Sequence, residues 1–147
     1  MALTYAGAKL YIGTTAANAD LDLSGFQAKS YTRVNSTGSV GDWETTDNIL
    51  TYNTTDDDVA DKQKGVANAG DPAIECAYSS SDTGQLAMVT ARDASDKYPF
   101  KLELSNGDIL YSRGVVGGAG IGGGGGREDF VVRKFSLGLV QIPVWDV

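Results

Sequence analysis

Gly118-Ala119-Gly120-Ile121-Gly122-Gly123 has the G-x-G-x-x-G spacing of a dinucleotide fingerprint. That spacing works between a strand and a helix N-terminus. There the glycines let the backbone meet a pyrophosphate, and an acidic residue about 20 positions on holds the ribose. Here more glycines follow, then a strand-patterned segment, so the helix is missing. Gly65-Val66-Ala67-Asn68-Ala69-Gly70 has the spacing of a phosphate-binding loop. Asp71-Pro72 stands where Lys and Ser or Thr are needed, and a carboxylate there repels phosphate. Asp56, Asp57, Asp58 and Asp61 offer hard oxygen ligands for Ca²⁺, but not the spaced ligands and distal Glu of an EF-hand. A solvated acidic loop is the simpler reading. Two carboxylates can hydrolyse a glycoside from anywhere in a chain, yet among 19 acidic residues no spacing singles out a pair.

The chain has no histidine, which removes Ser-His-Asp and Cys-His catalysis and most zinc chemistry. Its one cysteine, Cys76, falls on a strand pattern and reads as a small core residue. It has no intrachain disulfide partner. The expectation is a protein with no catalytic set, no cofactor and no metal. A net charge of −7 argues against a module that binds nucleic acid by neutralising phosphates. No apolar run approaches the roughly 20 residues of a membrane span. MALTYAGAKLYIG lacks the basic-then-apolar pattern of a signal peptide.

What would position such residues is a β-rich single domain over 1–147, since Thr, Val, Tyr and Gly are frequent and long helical runs are missing. The centre of the pattern is 73–113. Residues 73–78 read as a strand with Ile74, Cys76 and Tyr78 on one face. Asp82 then caps a helix, with Gln85 in capping-box spacing. Leu86, Ala87, Val89, Ala91 and Ala94 predict its buried stripe. Pro99 bars the helix from continuing past Tyr98. Phe100, Leu102 and Leu104 alternate with polar residues as a half-buried strand, and Asn106-Gly107 predicts a hairpin into 108–113.

Around this centre, 9–12 predicts a short first strand. Residues 26–35 alternate small with long polar side chains and predict a longer strand, whose face of Gln27, Lys29, Arg33 and Asn35 is solvated or lines a water-filled lumen. Residues 44–55 predict another strand. Residues 56–72 lack core periodicity and read as a long connection, of the kind that is functional or disordered. Residues 117–126 read as a flexible glycine loop. Residues 129–142 predict the last strand, bent at Gly138, before a short apolar tail. Tyr5, Tyr11, Tyr31, Tyr52, Tyr78, Tyr98 and Tyr111 fall mostly on strands, where packing explains most of them.

The ordered series resembles the tail tube (major tail) proteins of long-tailed bacteriophages and gene transfer agents. The residues that carry it are strand 47–55, Lys64-Gly65 to Gly70-Asp71, strand 73–78, Asp82-Thr83-Gly84-Gln85-Leu86, and Tyr98-Pro99-Phe100-Lys101-Leu102-Glu103-Leu104. The turn Asn106-Gly107-Asp108 and the exit Gly114-Val115-Val116 continue it. The resemblance implies an antiparallel β-sandwich, or partly open barrel, with one flanking helix. It implies strands that join an inter-subunit β-barrel in a hexameric ring, and rings that stack into a hollow tube. It implies a virion protein, assembled in the host cytoplasm, whose partners are copies of itself, a tape measure protein and tail terminator and initiator proteins. DNA would pass without specific contact, and no membrane is involved. The family's stacking loop falls at 56–71, which makes Asp56, Asp57, Asp58, Asp61, Lys62 and Lys64 inter-ring candidates. Gln27, Lys29, Arg33 and Asn35 are the lumen candidates.

Two other classes fit the composition. One is the tube protein of a contractile injection or secretion system, which shares the architecture. The other is a monomeric β-sandwich that binds sugar or peptide, which a concentrated aromatic platform would favour; here the aromatics are spread out. An enzyme ranks below both, because no nucleophile–base–orienter set can be assembled from these residues without unusual lysine or carboxylate arrangements.

Overall fold

Alternating apolar residues place several segments of the chain on strands, and there the structure follows that period. The computed structural model describes residues 2–56 and 58–147. Among them the chain runs β1 (Lys9–Gly13), α1 (Leu23–Gln27), β2 (Tyr31–Val34), β3 (Thr37–Ser39), β4 (Thr46–Tyr52) and β5 (Asp61–Asn68). It continues as β6 (Ala73–Ala77), α2 (Thr83–Asp93), β7 (Tyr98–Glu103), β8 (Ile109–Gly122), β9 (Val132–Leu139) and β10 (Val144–Asp146).

The main sheet has the order β2-β1-β7-β8-β9-β6-β3, with β10 also on β8, and every pair is antiparallel. β8 belongs to two layers. Its first part pairs with β7 and β10, and from Gly114 onward it pairs with β9. A register shift between Val116 and Gly118 marks the bend, a usual way for one strand to serve both layers of a sandwich. The sheet does not close into a barrel. Leu10, Ile12, Phe100, Leu102 and Leu110 form one buried core with Ile74, Cys76, Phe135 and Leu137, and with Met88 and Ala91 of α2. The Cys76 thiol is buried there, and burial pushes its pKa up to about 11, so it is an inert core group.

α2 begins where the capping signal predicts. The Asp82 carboxylate accepts from the Gln85 N–H at 3.0 Å and from the backbone and side chain of Asn35 at 3.1 and 2.6 Å. Burial pushes the Asp82 carboxyl up, but these hydrogen bonds and the charge of Arg33 outweigh it and leave its pKa below the usual value. Stability from a lowered carboxyl pKa is complete above its unfolded value of about 3.9 and is lost as pH falls through the folded one. Asp82→Ala should therefore lower stability by about 1 kcal/mol at neutral pH. That difference should shrink below about pH 4, as read from thermal midpoints of both proteins across pH. An undiminished difference in acid would show that the charge contributes nothing.

The buried face of α2 overlaps the predicted one only in part. Gly84, Gln85, Met88 and Ala91 are buried, whereas Leu86 is 44% exposed. Of the predicted stripe Ala91 is buried, Ala87 and Val89 pack against the core, and Leu86 turns outward. The structure instead seats the smallest residue, Gly84, where the helix meets the β2 backbone. An ideal Cβ on Gly84 would lie 2.0 Å from the Arg33 carbonyl oxygen. The helix also ends at Asp93, well before Pro99. Leu86→Asp should consequently shift stability by less than about 1 kcal/mol, as exposed substitutions do. A collapse of its melting transition would mean that Leu86 is packed.

Four other expectations change. Residues 26–35 are not one strand. Asp22 accepts from the Gly25 N–H at 2.8 Å and caps α1, which lays Phe26 on Tyr111 with ring centroids 5.4 Å apart. Only 31–34 is extended, and the alternation before it is coincidence. The connection 56–72 contains β5, whose partner β4 supplies the order that its own sequence lacks. The glycine stretch 117–126 is strand through Gly122 because β9 pairs with it. The apolar tail is β10, an edge partner of β8.

Candidate functional site

β4 and β5 form a two-stranded sheet of their own. Thr51 pairs with Lys62 and Ile49 with Lys64, and almost every side chain of the arm is exposed on both faces. Ile49, Leu50, Tyr52 and Val66 are among them. A lone two-stranded hairpin is marginal in water, and a long apolar strand with open edges seeks a partner. The arm is nonetheless firmly rooted. Gly70, at φ +114°, brings the returning chain so close to Glu44 that a Cβ would lie 2.7 Å from the Glu44 carbonyl oxygen. The Leu139 N–H donates to Gly70 O and the Leu137 N–H to Pro72 O, both at 3.0 Å, so the root continues the ladder of β9. At the other root the Trp43 indole donates to Val40 O at 2.9 Å, and Trp43 packs against the core.

The inter-ring candidates gather on this arm. Asp61, Lys62 and Lys64 lie on β5, and Asp56 and Asp58 lie in the turn between the strands. Asp57 lies outside the described residues. Lys64 reaches Asp47 of the facing strand at 3.7 Å, an exposed pair worth little. Among the described residues no group of three or more His, Cys, Asp or Glu side chains could hold a metal ion.

The lumen candidates do not gather. Gln27 ends α1 and hydrogen-bonds Asp146 at 3.0 Å. Lys29 follows that helix. Asn35 leaves β2 and is held by Asp82. Arg33 alone stays on the sheet, opposite Tyr11 of β1. Tyr11 is opposite Lys101 of β7 as well, and the Lys101 ammonium sits 4.9 Å from its ring centroid. Sequence reasoning missed this mixed face because its members come from three strands far apart in the chain. It was legible only as the polar positions of each strand.

The G-x-G-x-x-G spacing lies on β8 and in the turn to β9, with no helix after it. Around that turn Ile121, Phe130 and Val131 are exposed. Gly65–Gly70 spans the end of β5 and the arm root. A polar clamp on β8 is structural: buried Arg113 donates to Ala17 O at 3.1 Å and pairs with Asp20, while the Gln141 and Leu21 amides exchange hydrogen bonds.

No protein-family model and no curated protein sequence matches the chain. Solved structures do. A chain of the six-fold symmetrised anti-feeding prophage baseplate superposes with a TM-score of 0.67 at 9% identity, over 95% of this chain and 91% of that one. A chain from the sheath/tube terminator of the extracellular contractile injection system PVC, in the extended state, gives 0.63 at 9%, over 95% and 93%. A chain from the anti-feeding prophage cap, which terminates the tube, gives 0.63 at 10%, over 100% and 92%. At these identities the likeness is one of fold, and it extends over nearly the whole chain.

Proposed function

We propose that this chain is a structural subunit of a phage-tail-like tube, assembling with copies of itself as hexameric rings that stack. The observation that carries this reading is the rooted, uncovered β4–β5 arm. It presents apolar residues and open strand edges that a monomer leaves in water. A second open edge supports it. Beyond Gly114, no strand among the described residues pairs with β8 on its β7 side. Edge strands left open in one subunit are what an inter-subunit barrel would close. The arm takes the inter-ring role, and Arg33, with Tyr11 and Lys101 beside it on the sheet, is the channel-facing candidate. DNA would pass through the channel, and tape measure, terminator and initiator proteins would meet the tube ends.

The fold likeness to parts of contractile injection systems favours a contractile machine over a non-contractile tail. Two of those neighbours are described as ending a tube, so a terminal subunit that forms one ring is the second reading. Negative-stain electron microscopy of concentrated protein, with light-scattering mass, separates the two. Hollow tubes of uniform width support a repeating subunit, and isolated rings support a terminal one. A monomer that binds glycans or peptides in a screen would overturn both in favour of a binding module.

A further inference from the structure

We infer that the lysine-bearing face of the arm docks into an acidic, aromatic depression at the arm root of a second copy. This inference rests on the self-assembly reading above and goes further by naming both surfaces. The donor face carries Lys62 and Lys64, at alternate positions of β5 and so about 7 Å apart on one side, with Ile49 opposite Lys64. Both lysines are exposed; Lys64 reaches Asp47 of its own arm at 3.7 Å, an exposed pair that an incoming carboxylate can exchange, and Lys62 makes no ion pair among the described residues. The acceptor is a shallow, open depression of about 330 Å³ lined by Tyr5, Asp42, Trp43 and Glu44. Asp42 and Glu44 are likewise at alternate positions and exposed, while Trp43 between them packs toward the core.

The two surfaces match in charge, in spacing and in having aromatic or aliphatic groups beside the charges. They cannot meet within one copy. The register puts Lys64 opposite Ile49, roughly 16 Å up the arm from Glu44 at about 3.3 Å per residue. Lys62 is farther still. A contact between two different patches of one chain is heterologous, and repeats into a ring or a filament. The exposed tyrosine and the half-buried indole add cation–π attraction for an incoming ammonium.

The test uses two charge-reversed full-length chains, Lys62→Glu/Lys64→Glu and Asp42→Lys/Glu44→Lys. All four positions are exposed, so both should melt like the wild type, which a thermal scan checks first. Sedimentation velocity then compares each alone, the two mixed, and the wild type. We expect each reversed chain alone to associate at least about 100-fold more weakly, because like charges meet. The equimolar mixture should recover assembly, since every normal or reversed surface then finds its complement. If the wild type assembles and the reversed chains do so equally, or the mixture fails to recover, this pairing is overturned and the tube reading stands. If the wild type does not associate at any concentration, both are overturned.

Discussion

Gly84→Ala is expected to destabilise the protein by at least about 3 kcal/mol, at the upper end of overpacking costs. Helix propensity alone predicts the opposite sign, because alanine is better than glycine in a helix interior by about 1 kcal/mol. The space decides. A Cβ at position 84 would sit 2.0 Å from Arg33 O, 2.5 Å from Arg33 C and 2.6 Å from Val34 Cα. All three are backbone atoms of β2, paired to β1 on its other side, so none can rotate away as a side-chain tip could. Relief requires lifting α2 off the sheet, which opens the contacts of Met88 and Ala91. Urea unfolding of the variant measures the loss. A midpoint equal to or above that of the wild type would show that α2 is not seated on β2.

Gln85→Leu is the second large effect, with an expected loss of about 2–4 kcal/mol. Gln85 is fully buried beside an otherwise apolar core. Its side-chain carbonyl accepts from the Ser79 N–H at 3.1 Å. Its amide donates to Ala77 O at 2.9 Å and to Asn35 O at 3.3 Å. One side chain therefore satisfies the end of β6, the loop into α2 and the end of β2. Leucine fills a similar volume and leaves all three backbone groups of these part-buried bonds without that partner, and an orphan kept from water costs about 1–3 kcal/mol. A loss under about 1 kcal/mol in the same unfolding assay would mean that water replaces the amide. Gln85→Glu should not rescue the fold, because it puts a carboxylate oxygen next to the Ala77 and Asn35 carbonyls.

These two variants damage the body, whereas the arm reversals leave the body intact and change only association. Stability resides in the layers around Phe100 and Phe135. The proposed function resides in β4 and β5, which pack chiefly on each other. Substitutions in the two regions should therefore act almost additively on melting, since distant sites without shared partners do.

The strands predicted at 9–12, at 73–78 and from Phe100 were legible because their alternation is buried on one face, although Tyr78 lies past the end of β6 and is exposed. The Asp82 cap and the Asn106-Gly107 turn were legible because both are short-range chemistry. α1 was missed because five residues are too few to show a helical period against the accidental alternation of 26–35. Only the Asp22 cap at Gly25 signalled it. β5 was missed for a different reason. Its residues face solvent on both sides, so no hydrophobic period exists to read. The Gly118–Gly122 strand was hidden because glycine carries no pattern, and the β9 ladder alone orders it.

By itself the sequence determined a mainly antiparallel sandwich with one main flanking helix, the inert Cys76, and a chain without histidine chemistry. It also marked 56–71 as the stretch to watch. Tertiary structure decided which face of α2 is buried, that the watched stretch contains β5 and so one strand of an arm, and that Lys62 and Lys64 stand far from Asp42 and Glu44 of their own copy. Local patterns record the burial of each side chain, whereas backbone clearances and cross-strand registers are set by partners remote in the chain.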